Sequence, residues 1–385
     1  MERRGFLKAS AAAACAVLVP RLALAQVPAG YRNLLVLVEL KGGNDGLNTV
    51  VPYADPAYYT LRPRIAIRRD EVLQLDARTG LHPALAPLAP LWKSQELAIV
   101  QGVGYARPNL SHFRSIEVWE TASQSEEYLS DGWLTRAFAA HPVPRSFAAD
   151  GVIVGSSDLG PLAGTGARAV ALANTEQFLR QAKMAQPVQV AQGNRALAHL
   201  LKVEADVAQA AAGLRGSHAF RTEFPPGPFG QAVRTAAHVV ASKAGVAAVR
   251  LSLNGFDTHQ NQAALHANLL RQLAEGLAAL RSALVELDRW NSTLILTYAE
   301  FGRRAQENGS NGTDHGTANV HFALGGRVKG GFLGAAPRLD RLENGNLVHA
   351  VEFRSLYATV LERWWGVPSS GVLGGRFPAL DLLRA

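Results

Sequence analysis

Cysteine is almost absent from this chain of 385 residues, in which Cys15 is the only one. Because Cys15 lies inside a segment that we interpret as a cleaved export signal, the mature chain is expected to have no thiol. Disulfide bonds, thiolate metal ligands and a cysteine nucleophile are then excluded. An exported protein of this length without disulfides must obtain its stability from a hydrophobic core.

Runs of like charge and long apolar runs are also missing after the first 25 residues. Of the net charge of +8, the export signal carries +3, so the mature chain retains +5 as scattered basic residues. Without a basic stretch, nucleic-acid binding is not indicated. Without an apolar run of about 20 residues, no stable membrane anchor is expected. The mild positive charge favours a small anionic ester as substrate, although a basic compositional bias explains it more simply.

Several catalytic motifs are absent as well. The chain has no Gly-x-Ser-x-Gly elbow, no His-Glu-x-x-His helix, no Walker loop and no dinucleotide-binding Gly-x-Gly-x-x-Gly. These absences argue against the α/β-hydrolase, zincin, P-loop and Rossmann chemistries.

The first 25 residues predict a twin-arginine export signal. Arg3 and Arg4 precede Gly-Phe-Leu-Lys, an apolar stretch covers residues 9–20, and Ala-Leu-Ala at residues 23–25 is a small-residue cleavage site. The mature chain should therefore begin at Gln26. This predicts a periplasmic or secreted protein that the twin-arginine translocase exports already folded.

The remaining chain, about 360 residues, alternates apolar strand-like runs with helical patterns. Residues 34–40, 97–103, 152–154, 246–253 and 292–298 are predicted strands, and residues 85–92, 111–121, 265–290 and 353–365 are predicted helices. This alternation predicts an α/β fold with three layers, in which helices cover both faces of a mainly parallel sheet. Residues 26–385 are interpreted as a single domain, with a helical insertion or cap at about residues 170–235.

Polar clusters follow three of the predicted strands. Asp45 lies in a Gly-rich turn after the first strand, Asp257 and His259 follow the strand at 246–253, and Asp314, His315 and His321 follow the strand at 292–298. Ligands bind at the carboxyl ends of parallel strands. Carboxylate and imidazole ligands together suit Zn²⁺ or Mn²⁺. The sequence therefore predicts a divalent-metal site, with one or two ions per chain.

The order of these clusters resembles the alkaline phosphatase superfamily, which includes phosphatases, sulfatases and cofactor-independent phosphoglycerate mutases. The mature chain more closely resembles one branch, a twin-arginine-exported family of unknown function numbered 1501. Five motifs carry this resemblance: Leu-Lys-Gly-Gly-Asn-Asp-Gly-Leu-Asn-Thr at 40–49, Ser-His-Phe at 111–113, Phe-Asp-Thr-His at 256–259, Glu-Phe-Gly-Arg at 300–303 and Thr-Asp-His-Gly at 313–316.

The resemblance implies two metals bridged by substrate. Asp45, Asp314 and His315 would hold one metal, while Asp257 and His321 with either His259 or His266 would hold the other. Ser111 is the best candidate nucleophile, because it opens a helix whose backbone N–H groups favour an anionic ester. Arg114, one turn further on, would bind a non-bridging oxygen of phosphate or sulfate, and Thr49 is a weaker candidate nucleophile.

Simpler structural roles stand beside these assignments. Asp45 can be a turn residue, Ser111 an N-cap and His112 a packing residue, and we expect Glu300 to form an i, i+3 ion pair with Arg303. The spacing of Asp257 and His259 also departs from the superfamily, which leaves the second metal in doubt.

The leading hypothesis is an exported metal-dependent hydrolase of phosphate or sulfate esters that uses a serine nucleophile at a metal centre. The alternatives are a non-catalytic metal-binding or envelope-assembly protein on the same fold, and an exported scaffold without metal.

Overall fold

The structure of the protein is a computed structural model that describes residues 30–172, 218–242 and 245–384. The predicted export signal and residues 173–217 of the predicted insertion lie outside these ranges.

Strands and helices alternate along the described chain, as predicted. The strands are β1 (Leu34–Lys41), β2 (Val50–Val51), β3 (Leu73–Gln74), β4 (Gly80–Leu81), β5 (Leu97–Gly104), β6 (Gly151–Val154), β7 (Ala169–Leu172), β8 (Ala248–Asn254), β9 (Thr293–Tyr298), β10 (Asn319–Leu324), β11 (Gly331–Gly334), β12 (Leu342–Glu343), β13 (Asn346–Leu347) and β14 (Val351–Glu352). The α-helices are α1 (Gly46–Thr49), α2 (Pro56–Leu61), α3 (Ala89–Lys93), α4 (His112–Thr121), α5 (Trp133–Ala140), α6 (Gly227–Ala241), α7 (Gln262–Glu286), α8 (Arg354–Ala358) and α9 (Ser370–Leu373). Short 3-10 segments cover Pro83–Leu88, Gly160–Leu162 and Trp290–Ser292, and a π-helical segment covers Thr359–Trp364.

Nine of the described strands form one central sheet. Its order is β11-β5-β10-β9-β1-β8-β6-β7, and β14 also pairs with β5. Every neighbouring pair is parallel except the two pairs that β10 makes. The predicted mainly parallel sheet is therefore confirmed. The carboxyl ends of β1, β5, β8 and β9 lie at the same edge of the sheet.

Side chains of β1 alternate between two hydrophobic cores. Leu34, Val36, Val38 and Leu40 face a core that α6 and α7 complete, whereas Leu35 and Leu37 face a second core completed by α4, α5 and α8. A strand that is buried on both faces is apolar along its whole length, which explains the near-continuous apolar run. The two cores give the fold its three layers, as the sequence predicts.

Two details differ from the sequence-based expectation. The apolar side of α7 is buried from Leu269 to Leu284, but Leu265, the first residue of the predicted helix, is 56% exposed. Residues 169–172, at the start of the predicted helical insertion, form edge strand β7, which pairs with β6. No helix within the described ranges has the length and apolar character needed to cross a membrane.

The turn after β1 requires glycine because it passes close to the turn after β8. Gly42 has a φ of +117°, and a Cβ at this position would lie 2.4 Å from the backbone N of Asp257. Only glycine combines this backbone conformation with so close an approach. The contact ties the loop that carries Asp45 to the loop that carries Asp257.

Replacing Gly42 with alanine should therefore destabilise the fold. We expect Gly42→Ala to lower the free energy of unfolding by about 1–3 kcal/mol from backbone strain alone, measured by urea denaturation. Gly371→Ala is the matched control, because no atom lies within 4 Å of its added methyl group. Equal stability of the two variants would contradict this account of the turn.

Candidate metal centre

Four side chains from three loops converge at the carboxyl edge of the sheet. His112 begins α4 after the loop that follows β5, Asp257 and His259 follow β8, and His315 lies in the long loop after β9. One ligand atom each from His112, Asp257 and His315 lies within 4.8 Å of the others. His259 joins them through its Nε2 atom, 3.0 Å from Asp257 Oδ1. Sequence positions about 200 residues apart thus meet at one point.

Four of the distances between these atoms are near the ligand separations of a tetrahedral metal site, although His259 is not among the three residues whose ligand atoms all lie within 4.8 Å of one another. Asp257 Oδ1 lies 3.0 Å from His259 Nε2, 3.2 Å from His315 Nε2 and 3.4 Å from His112 Nε2. His259 Nε2 and His315 Nε2 are 3.0 Å apart. Tetrahedral ligands bonded at about 2.0–2.1 Å lie about 3.3 Å from one another. Three imidazoles and one carboxylate are also a donor set that suits Zn²⁺.

Each of the three imidazoles has an oxygen atom beside its other ring nitrogen. His112 Nδ1 donates to Glu300 Oε1 at 2.8 Å, His315 Nδ1 donates to the Leu110 carbonyl at 2.8 Å, and His259 Nδ1 lies 3.5 Å from Asp314 Oδ1. A carboxylate or a carbonyl can only accept, so the contacts of His112 and His315 place the ring proton of these two residues on Nδ1. Their Nε2 lone pairs are then free for a metal, which is the usual outer arrangement around metal-bound histidines.

Arg303 connects the loops that carry these ligands. Its buried guanidinium donates to the carbonyls of Gly43 at 2.7 Å, Thr313 at 2.9 Å and Phe256 at 3.0 Å, and also to Asp257 Oδ1 at 2.7 Å. The predicted Glu300–Arg303 ion pair is therefore wrong, because Glu300 instead accepts from His112 and from the Gly42 N–H. Both residues brace the site, but through different partners.

The charges around the cluster control its protonation. Burial opposes ionisation of Asp257, but the hydrogen bond and charge of Arg303 outweigh it and lower the pKa of Asp257 to about 2. Burial lowers the pKa of His315, whereas the hydrogen bond to Glu300 raises the pKa of His112. An ionised carboxylate thus faces at least one neutral imidazole at neutral pH, as metal binding requires.

Asp45 does not join this cluster. Its carboxylate is buried, and Oδ2 accepts from Arg62 Nη1 at 2.6 Å and also from Gln262. Burial opposes its ionisation, but Arg62 outweighs this and lowers the pKa of Asp45 below its usual value. The prediction that Asp45 shares a metal with Asp314 and His315 is not supported, because an arginine already neutralises it.

Three other predicted ligands lie outside the cluster. The Asp314 carboxylate lies on the outer side of His259 and accepts from Asn308 Nδ2 at 3.1 Å, so it orients that imidazole and does not face the cluster. His321 is buried on β10 with its ring against Trp119, and burial lowers its pKa to about 3. His266, the predicted alternative to His259, is buried and contacts Asn44 at 2.9 Å.

Of the predicted catalytic residues, only Ser111 remains available for a catalytic role. Ser111 is exposed, directly precedes His112 and is the N-cap of α4, although its hydroxyl makes no capping hydrogen bond. The guanidinium of Arg114, however, donates to the carbonyls of Ser125 and Gln124 and to Glu117, so it holds a neighbouring loop and does not serve as an anion site. Thr49 is buried and donates to the Asp45 carbonyl at 2.7 Å, which argues against a nucleophilic role.

A cleft of about 760 Å³ adjoins the cluster and shares His112, Asp257 and Glu300 as lining residues. Phe113 lies at this cleft and is 85% exposed. Glu120, also on α4, lines the cleft as well. Burial raises the pKa of Glu120 to about 8, although the charge of Arg250, whose Nη2 donates to its Oε1 at 3.1 Å, opposes this shift. The cleft gives a small molecule a route to His112 and Asp257.

The family described as "Protein of unknown function (DUF1501)" matches residues 98–364, which contain all four converging side chains. The chain belongs to this family. The family resemblance predicted from the sequence motifs is therefore confirmed. A comparison with curated proteins finds none that matches.

Several solved structures are similar to this chain at low identity. A protein in the alkaline phosphatase superfamily from Vibrio parahaemolyticus is 12% identical, with 98% of this chain and 78% of that chain covered and a TM-score of 0.43. The PsFucS1 sulfatase from Pseudoalteromonas sp. is 11% identical, with 91% and 70% covered and a TM-score of 0.39. The lipoteichoic acid synthase LtaP from Listeria monocytogenes is 8% identical, with 90% and 75% covered and a TM-score of 0.37.

Two residues, His112 and Glu300, have positions at the centre that the sequence analysis did not predict. His112 was expected to be a packing residue, yet it follows β5, whose carboxyl end lies at the same sheet edge as those of β1, β8 and β9. That position is a signal that the sequence does contain. The role of Glu300 had no such signal, because its contact with His112 joins residues 188 positions apart.

Substitutions that break the Asp45–Arg62 ion pair should lower the stability of the fold. Arg62→Met leaves a buried carboxylate unpaired and should lower the free energy of unfolding by about 3–5 kcal/mol. The double variant Arg62→Met/Asp45→Asn should lose less than the sum of its single variants, by about 1–3 kcal/mol in urea denaturation. Strict additivity would contradict the pairing.

The same pair predicts a pH dependence of stability. Because folding lowers the pKa of Asp45 below 3.8, its contribution is present above about pH 4 and is lost as the pH falls through the folded pKa. We expect Asp45→Asn to flatten the acid side of the stability profile relative to the unmodified protein. An unchanged slope would show that Asp45 titrates alike in both states.

Proposed function

We propose that this protein is a metal-dependent hydrolase of phosphate or sulfate esters, exported through the twin-arginine translocase and built around a single divalent metal. His112, Asp257, His259 and His315 would hold the metal, which we expect to be Zn²⁺ or Mn²⁺. The observation that carries the proposal is the orientation of the three imidazoles, each with Nδ1 beside an oxygen and Nε2 facing Asp257.

The donor set argues for one metal rather than two. Asp45, which the superfamily resemblance assigns to a metal, is paired with Arg62, and His321 is buried away from any carboxylate cluster among the described residues. A centre of one carboxylate and three neutral imidazoles keeps a net positive charge with a divalent ion. Such a charge favours an anionic ester at the mouth of the adjoining cleft.

Ser111 is the residue that we propose as nucleophile. It directly precedes the ligand His112, its side chain is exposed, and it stands at the N-terminus of the ten-residue helix α4. The bound metal would supply Lewis acidity to the ester and favour ionisation of a hydroxyl beside it. The Ser111 oxygen would lose its proton to solvent and bond to phosphorus or sulfur while the bond to the ester oxygen breaks, and the departing alkoxide would take a proton from solvent. Water would later hydrolyse the serine ester, which releases phosphate or sulfate and restores the hydroxyl. Backbone N–H groups at the start of α4 would stabilise the anionic group.

A non-catalytic metal-binding role is the second candidate. It is favoured by Arg114, whose guanidinium donates to two loop carbonyls and to Glu117, so the side chain predicted to bind an anionic ester is already engaged. Metal bound without turnover of any ester would support this reading.

Metal content tests the centre directly. We expect about one Zn or Mn per chain by mass spectrometry of the mature protein exported in its native host, and loss of most of it in His112→Ala and His315→Ala. His141→Ala is the control, since it lies outside the cluster. Asp45→Asn should retain the metal if it folds. Loss of metal in Asp45→Asn alone would support the superfamily arrangement instead, and no metal in any sample would overturn the centre.

Turnover tests the nucleophile separately. With metal-loaded protein and aryl phosphate and aryl sulfate esters, Ser111→Ala should lower kcat by at least about a hundredfold while the metal content stays unchanged. Full metal-dependent activity in Ser111→Ala would remove Ser111 from the mechanism but leave the metal centre intact.

A further inference from the structure

A cavity of about 280 Å³ lies beside the second half of β5 and shares no lining residue with the cleft at the candidate metal centre. Its wall is formed by α1, β5, β10 and the segments on either side of the β12–β13 hairpin. The volume is at the lower end of the range for small-molecule sites. Most of the lining side chains are apolar, and they include Leu47, Val50, Val320, Leu347 and Val348.

Gln101 gives this wall a polar group without a protein partner. The side chain is 5% exposed, and its amide makes no hydrogen bond with any residue in the described ranges. Neither amide atom is fully enclosed, so the little surface that Gln101 keeps includes both atoms, and Gln101 lines this cavity. Asn319, another buried amide of the wall, is instead satisfied by the Phe301 carbonyl at 3.0 Å and the Val320 N–H at 2.8 Å. A buried amide without a protein partner normally binds water or a ligand.

A β-bulge holds Gln101 at this position. The pairing of β5 with β10 shifts by one residue here, so that Gln101 and Gly102 together lie opposite Val320. Gly102 has a φ of +68°, a conformation that glycine adopts without strain. On the other edge of β5, Gln101 pairs with Gly334 of β11. Bulges redirect side chains and are common beside functional sites. The open amide therefore stands on a strand that is paired on both edges.

The charged groups of the wall favour an anion. Arg338, Arg341 and His349 line the cavity, and none of the described Asp or Glu residues does. Arg338 is neutralised by Asp340, to which it donates at 2.8 and 2.7 Å. Arg341 makes no hydrogen bond or ion pair with any described residue, although Glu343 is only two positions away. An apolar wall with an open amide and an unpaired arginine matches an organic anion with an apolar body.

We propose that this cavity is a second small-molecule site, which binds a small carboxylate with an apolar body. The carboxylate accepts a hydrogen bond from Gln101 Nε2, Arg341 supplies the positive charge, and the body packs against apolar side chains such as Leu47 and Val320. None of the four metal-facing side chains lines this cavity, so the site does not depend on the proposed hydrolase activity.

The side-chain amide signals of 15N-labelled full-length protein test the contact with Gln101. Hexanoate is the probe, and 1-hexanol and hexylammonium are the matched neutral and cationic molecules. We expect saturating hexanoate to move the Gln101 NH₂ signals downfield, because a hydrogen bond to a carboxylate is stronger than a neutral one. Gln101→Leu assigns these signals by deleting them. Gln74→Leu, on β3 and outside this cavity, should leave both the Gln101 signals and their shift in place.

Ligand titrations test the selection for negative charge. We expect hexanoate to bind about threefold to tenfold more tightly than 1-hexanol at low ionic strength, and hexylammonium to bind most weakly. Arg341→Met should reduce hexanoate affinity about threefold to fivefold while leaving 1-hexanol affinity unchanged, and high salt should weaken hexanoate in the same way. Arg145→Met is the matched control, since Arg145 is also exposed and unpaired among the described residues but does not line the cavity.

The two variants do not depend on each other. Arg341 is exposed and unpaired within the described ranges, so Arg341→Met should fold even if Gln101→Leu does not. Gln101 signals that hexanoate does not move would overturn the proposal. So would 1-hexanol or hexylammonium binding as tightly as hexanoate, or an equal loss of hexanoate and 1-hexanol affinity in Arg341→Met.

Discussion

The arrangement of the whole site depends on one buried cation, the guanidinium of Arg303. Its nitrogens donate to the loop after β1, to the loop after β8 and to the Thr313 carbonyl in the loop after β9. A planar group with five fixed donors can satisfy several carbonyls at set angles, which a lysine ammonium cannot reproduce. The carboxyl ends of three strands are therefore held in one geometry, and the fourth loop joins them when Glu300 accepts from His112.

A buried cation beside the candidate metal centre would also limit how many metal ions can bind there. Arg303 already lies beside Asp257, and Arg62 lies beside Asp45, so each of these two carboxylates has an arginine within 2.7 Å. At such distances in a poorly solvated interior, unlike charges interact strongly and an additional cation is repelled. The Asp45 site is closed in this way, because its other neighbours, Gln262 and His266, are neutral or weakly basic. Asp257 is different, since it is 46% exposed and three imidazoles face it.

The sequence predicted the fold and the location of the site better than the roles of individual residues. Apolar runs and helical spacing identified the parallel strands, and the polar residues after them were correctly expected at one edge, because parallel strands must end together. Asp257, His259 and His315 were among the predicted ligands that the structure brings together. The sequence did not show whether Asp45 is a metal ligand or an ion-pair partner. Its partner, Arg62, becomes apparent only in the folded structure. Arg114 likewise has the residue type and spacing of an anion-binding arginine, but its acceptors are backbone carbonyls, which no sequence pattern displays.

Glu300 connects two parts of the site through one buried side chain. It is 2% exposed, yet it lines both the cleft beside His112 and Asp257 and a cavity of about 450 Å³ that includes Tyr105 and Trp119. Its two oxygens are shared between the Gly42 N–H and the His112 ring, so a shift of this carboxylate would reach both the turn after β1 and the orientation of a metal-facing imidazole. A carboxylate in this position needs compensation by hydrogen bonds, since burying it unpaired would be costly. The same hydrogen bonds that stabilise Glu300 therefore also fix the orientation of the His112 imidazole.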